Sequence, residues 1–81
     1  MKNEKTEHLI QIIIHLNREQ AYVQEAMAEH FAERVARYYD QIELAPNGNL
    51  ILFCKQAQLK RLQSLLEFLK VNGEKLAYSV Y

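Results

Sequence analysis

The chain has few of the residues that interrupt secondary structure or cross-link a fold. Its 81 residues include two glycines, one proline and one cysteine. So few turn-forming residues predict long helices and strands joined by short connections. The single cysteine excludes an intramolecular disulfide and suits a reducing compartment, so we expect a cytoplasmic protein.

The chain also lacks a net charge and a long unbroken apolar run. Ten Lys and Arg residues balance ten Asp and Glu residues, which removes the general electrostatic attraction to nucleic acid or anionic lipid. The apolar run near the N-terminus is broken by Gln11 and His15, so it predicts neither a membrane span nor a secretory signal. We expect no membrane association and no nucleic-acid partner. The length predicts one domain, 1–81, with residues 1–7 flexible.

The strongest pattern is the segment His8–Leu16, HLIQIIIHL, which predicts a strand. Its isoleucines are stiff at Cβ and fit a pleated sheet better than a helix. At a period of two residues, one face carries Ile10 and its even-numbered neighbours, and the other carries Gln11, Ile13 and His15. Both faces are apolar enough for a central strand. The alternative is one long helix over His8–Tyr39.

Helical spacing follows the first strand. Asn17 and Gln20 match an N-cap and its capping-box partner, and we expect the helix to end near Tyr39. A second helix is predicted by leucines that recur from Leu59 to Leu69, with Asn72-Gly73 as its C-terminal cap. The first helix has an apolar stripe of Val23, Met27, Phe31, Val35 and Tyr38.

The remaining segments predict three more strands. Ile42 and Leu44 alternate with polar residues, and Pro46 places that strand at a sheet edge. Asn47-Gly48 predicts a two-residue type I′ turn into a strand over Asn49–Lys55. Lys75–Tyr81 alternates as a last strand.

The order β-α-β-β-α-β predicts an α+β, ferredoxin-like sandwich: a four-stranded antiparallel sheet, strand order 4-1-3-2, with both helices on one face. Strand alternation then divides the sheet residues between a core face and an open face. The predicted core-facing residues are Ile10, Ile12, Ile14, Ile42, Leu44, Leu50, Leu52, Cys54, Leu76 and Val80.

The open face is the predicted binding site. Ile13, Ile51 and Phe53 form its apolar centre, which a monomer has little reason to expose to water. The polar residues around them are Gln11, His15 and Lys55, with Glu43 and Ser79 towards the edges. This face predicts either a homodimer interface or a docking site for a peptide or a protein segment.

Signatures of catalysis are missing. His8, His15, His30 and Cys54 have no metal-ligand spacing, and we expect no metal, no cofactor and no enzymatic activity. Cys54 is predicted to be buried and inert. Lys60 and Arg61, beside Lys55 in the sequence, predict either a solvated helix face or a contact for an anion or an acidic partner.

The C-terminal half resembles a known family. The residues that carry the resemblance are Gly48, Leu50, Ile51, Gly73, Leu76, Ala77, Ser79, Val80 and Tyr81. They are similar to a pattern in the NapD-type cytoplasmic chaperones. That resemblance implies the same βαββαβ fold and binding of the twin-arginine signal peptide of periplasmic nitrate reductase.

Two further likenesses define the alternatives. The β-α-β-β-α layout is similar to that of small modulators of RecA. Gly73–Tyr81 resembles a strand of the CRISPR adaptation nucleases, but Cys54 or Lys55 stands where that family needs an aspartate. We therefore expect a non-enzymatic adaptor or chaperone that docks a partner segment. A homodimeric structural or regulatory protein is the alternative, ahead of a nucleic-acid-associated protein or nuclease.

Overall fold

The described residues form a main sheet, two α-helices, a short 3-10 helix and a small hairpin. The computed structural model describes residues 8–16, 21–71 and 73–81. No helix in those ranges is long and apolar enough to cross a membrane. In chain order the elements are β1 (Ile10–Ile14), α1 (Ala21–Arg34), a 3-10 helix (Ala36–Tyr38), β2 (Gln41–Leu44), β3 (Leu50–Cys54), α2 (Gln56–Phe68), β4 (Lys70–Val71), β5 (Glu74–Lys75) and β6 (Tyr78–Val80).

The main sheet has the order β2-β3-β1-β6, and all its pairs are antiparallel. This confirms the predicted ferredoxin-like topology, in which the isoleucine-rich β1 is central. The alternative of one long helix over His8–Tyr39 is wrong, because Ile12 pairs with Leu52 on one side and with Val80 on the other.

Both helices pack on one face of this sheet. Phe31 of α1 and Leu62 and Leu66 of α2 are fully buried, and they cluster with the inward-facing side chains of β1 and β3. Burying side chains of this size stabilises the fold by about 1.5–3 kcal/mol each. The sheet residues with no exposure are Ile12, Ile14, Leu50, Leu52 and Cys54.

Two residues that were predicted to face the core are exposed instead of buried. Leu44 is 48% exposed and Val80 is 39% exposed, although each pairs with a strand residue that is fully buried, Leu50 and Ile12. Both belong to the edge strands β2 and β6. An edge strand has a neighbour on one side only, so these two side chains keep more contact with water than the side chains of β1 and β3 do.

The first helix is shorter than its apolar stripe predicted. The α-helix ends at Arg34, and Val35 leaves helical geometry with φ −124° and ψ 6° before a 3-10 turn over Ala36–Tyr38. Val35 and Tyr39 are nonetheless buried, so the stripe continues after the α-helix has ended. The predicted caps Asn17 and Gln20, like residues 1–7, lie outside the described residues.

The loop between β2 and β3 differs from the predicted type I′ turn. The Gly48 amide donates to the Ala45 carbonyl at 3.0 Å, and the Ala45 amide donates to the Asn49 carbonyl at 2.9 Å. The turn is therefore centred on Pro46 and the residue after it, followed by Gly48 with φ +97°. Proline fixes φ near −65°, which suits the first central position of such a turn. A three-residue loop with a left-handed glycine results.

The predicted C-terminal cap of α2 is also wrong. The helix ends at Phe68, Leu69 is extended, and β4 pairs with β5 as a separate two-stranded hairpin. Gly73 has the expected positive φ of +81°, but it lies in the hairpin loop; Asn72 is outside the described residues. The last strand of the main sheet is accordingly shorter than predicted and begins at Tyr78.

Candidate functional site

The candidate site is the sheet face opposite the helices, which we call the open face. Ile13 lies directly across from Ile51, and Gln11 lies across from Phe53. These four side chains alternate with the buried side chains of β1 and β3, so they point away from the core. All four are half-buried. Since directly opposed Cβ atoms are about 4.5–5.5 Å apart, Ile13 and Ile51 form one continuous apolar patch.

A polar side-chain contact borders the patch on the β6 side. His15 Nε2 lies 2.8 Å from Ser79 Oγ, and Ser79 is the β6 residue opposite Ile13. His15 is exposed, so its ring can still reach a ligand through its other nitrogen. The pair therefore offers a hydrogen-bonding group beside the apolar centre.

Tyr81 also lies on this face, although it was not among the predicted binding residues. Its amide donates to the Gln11 carbonyl at 2.7 Å, and its side chain is 71% exposed. It follows Ser79 by two residues, so it lies on the same face. The alternation of the last strand was the signal that could have identified it.

Lys55 lies at the other end of the open face and also starts a helix. Its ammonium is 3.8 Å from a carboxylate oxygen of Asp40, and its amide donates to Gln58 Oε1 at 2.7 Å. Both charged side chains are partly exposed, so the ion pair contributes at most about 1 kcal/mol to stability. Glu43 pairs with Ile51 from the outer strand, which leaves charges of both signs around the patch.

Cys54 is oriented away from this face. It is fully buried, as predicted, and the pKa of its thiol is raised by burial and, to a lesser extent, by the charge of Asp40. A raised pKa disfavours the thiolate, which is the reactive form. Cys54 therefore has the environment of a structural cysteine.

The candidate metal ligands of the described ranges do not form a cluster. There, no three His, Cys, Asp or Glu side chains come close enough to hold an ion. His15, which directly follows β1, faces the open side, while Cys54 of β3 is buried in the core. His30 packs beside Phe31 on α1, with their ring centroids 5.9 Å apart.

Lys60 and Arg61 lie elsewhere, in the helix layer. With Tyr38, Ser64 and Leu65 they line a groove of about 370 Å³ between α2 and the 3-10 helix. Their predicted role as a contact for an anion or an acidic partner stays a prediction. The sequence pattern does not identify Tyr38 as their neighbour, because that contact depends on how the 3-10 turn packs against α2.

Comparisons of the chain with protein-family models, with curated proteins and with solved structures give no significant match. The resemblance to the NapD-type chaperones therefore stays a prediction from the sequence.

Proposed function

We propose that this protein is a non-enzymatic adaptor or chaperone that docks a short segment of another protein on its open face. The observation that carries the proposal is the Ile13–Ile51 pair, with Phe53 beside it, at the centre of a sheet face that no described helix covers. Apolar patches of this kind, framed by polar groups, are typical of interaction sites.

The surroundings of the patch favour a peptide with mixed chemistry. Apolar side chains of the segment would bury Ile13, Ile51 and Phe53. Gln11 and the His15–Ser79 pair would fix its orientation by hydrogen bonds, since such contacts provide specificity more than affinity. The resemblance of the C-terminal half to the NapD-type chaperones supports the same class of ligand, a signal peptide.

The direct test is an NMR titration with a synthetic twin-arginine signal peptide. We expect saturable shifts of the backbone amides of Ile13, Ile51 and Phe53, and loss of binding in Phe53→Ala with the fold retained. Tyr22→Ala is the matched control, because Tyr22 is a 69% exposed aromatic residue on α1. Shifts confined to the helix layer, or an equal effect of the two variants, would contradict the proposal.

The second candidate is a homodimer through the same face. It is favoured by the net charge of zero, since two copies would not repel each other, and by an apolar centre that can pair with itself. Size-exclusion chromatography with light scattering on wild type, Phe53→Glu and Tyr22→Glu separates the two. A wild-type dimer that only Phe53→Glu converts to a folded monomer supports the homodimer. Monomers throughout leave the face available to a peptide.

A further inference from the structure

The structure contains a second candidate site, the groove between α2 and the 3-10 helix. We infer that this groove binds a small organic anion, meaning a phosphate or carboxylate group attached to a single apolar ring or a chain of similar size. Its lining combines two cations, two hydroxyl groups and an apolar side chain: Lys60, Arg61, Ser64, Tyr38 and Leu65. It belongs to the helix layer, and therefore lies on the opposite side of the sheet from the open face.

One hydrogen bond joins the two walls of the groove. Four of the lining residues occupy adjacent positions on successive turns of α2, at i, i+1, i+4 and i+5. Leu65 and Tyr38 are half-buried and pack against the main core. Gln58 Nε2 donates to the carbonyl of Arg37 at 3.4 Å, which links the start of α2 to the 3-10 helix.

The electrostatics of the groove favour an anion. Lys60 and Arg61 are exposed, and within the described ranges neither forms an ion pair. The only acidic residue of α2 is Glu67, whose carboxylate accepts a hydrogen bond from the Tyr78 hydroxyl at 2.8 Å. The positive charge at the groove is therefore not neutralised by α2 itself. A guanidinium can bind a phosphate or carboxylate with two parallel hydrogen bonds, and Lys60 adds a second charge.

The volume of the groove matches a small ligand. About 370 Å³ is near the lower end of small-molecule sites, which span about 300–1,000 Å³. One ring with an oxyanion fits this space. The half-buried Leu65 and the Tyr38 ring would contact the apolar part, which distinguishes such a ligand from inorganic phosphate.

The test is an NMR titration of the whole protein with phenyl phosphate, inorganic phosphate and benzyl alcohol. We expect saturable shifts at Tyr38 and along Lys60–Leu65 with phenyl phosphate, and affinity at least tenfold weaker for each of the other two probes. The double variant Lys60→Gln/Arg61→Gln should lose at least tenfold in affinity for phenyl phosphate. Lys70→Gln/Lys75→Gln removes the same charge from the β4–β5 hairpin and should bind as wild type does.

Three results would overturn the inference. Equal binding of phenyl and inorganic phosphate would show that the apolar part is not recognised. Equal losses in the two double variants would show attraction to overall charge only. Shifts at the groove with hexaglutamate but not with phenyl phosphate would assign the surface to an acidic protein partner. Circular dichroism of each variant verifies that it is folded.

Discussion

Replacing Asn49 by alanine should destabilise the protein more than its position in a loop suggests. The Asn49 side chain is 7% exposed, and its Oδ1 accepts a hydrogen bond from the Leu16 amide at 2.9 Å. Leu16 lies beyond the last paired residue of β1 and is 3% exposed, so water cannot replace the lost acceptor without entering the core. A buried donor left without a partner costs about 1–3 kcal/mol.

That cost is large for a protein of this size. A stability of about 0.05–0.15 kcal/mol per residue gives this chain about 4–12 kcal/mol in total. A loss of about 2 kcal/mol would lower the melting temperature by about 8–16 °C, since each kcal/mol corresponds to about 4–8 °C in a small domain. Urea denaturation followed by circular dichroism should show a lower midpoint with an unchanged slope.

Asn47→Ala is the matched control for Asn49→Ala. Asn47 is exposed, and its side chain accepts a bond from the Asn49 amide at 3.1 Å. Water can take over that role, so we expect a loss below about 1 kcal/mol. If Asn49→Ala unfolds within about 0.5 kcal/mol of wild type, or if Asn47→Ala costs as much, the buried bond is not what anchors this loop.

Two further predictions concern stability. Gly73→Ala should lower the free energy of unfolding by about 1–2 kcal/mol, because φ at this position is +81°. Nothing lies within 4 Å of an added Cβ, so the cost comes from backbone conformation alone. Gly73→Asn should cost less in the same urea assay, and equal costs would contradict this reasoning. The hydrogen bond to Glu67 and, to a lesser extent, burial raise the pKa of the Tyr78 hydroxyl above its ordinary value of 10.0. The contribution of this group to the free energy of unfolding is therefore complete below pH 10 and is lost as pH rises through the folded-state pKa. Tyr78→Phe should therefore be less stable than wild type at pH 7 by up to about 1 kcal/mol, and the gap should narrow in denaturation curves above pH 10; a constant gap would refute the linkage.

The topology could be predicted because several independent signals agreed. The isoleucine run favoured a strand, Pro46 favoured a sheet edge, and the order of elements allowed few arrangements of the sheet. The same alternation that located the core strands also located Ile13, Ile51 and Phe53 on the second face. These parts of the prediction depend only on local geometry repeated along a strand.

The predictions that were wrong depended on pairing and packing that the residue types alone do not specify. A positive φ suits both a helix cap and a hairpin loop, so Gly73 alone could not decide between them. The pairing of Lys70 with Lys75 decided it. Similarly, the burial of Val35 and Tyr39 is compatible with an α-helix or a 3-10 turn, and Tyr38, which lines the groove, belongs to the 3-10 turn.

The fold and the proposed binding use opposite faces of the same two central strands, so their contributions can be separated by mutation. Ile12 and Leu52 face the helices with no exposure, while their neighbours Ile13, Ile51 and Phe53 face outwards and are half-buried. Truncating a fully buried leucine or isoleucine costs about 2–5 kcal/mol, but a side chain that remains half in water has less burial to lose. A variant of the outward set that loses its partner while keeping most of its stability would therefore identify binding, rather than folding, as the reason for those apolar side chains.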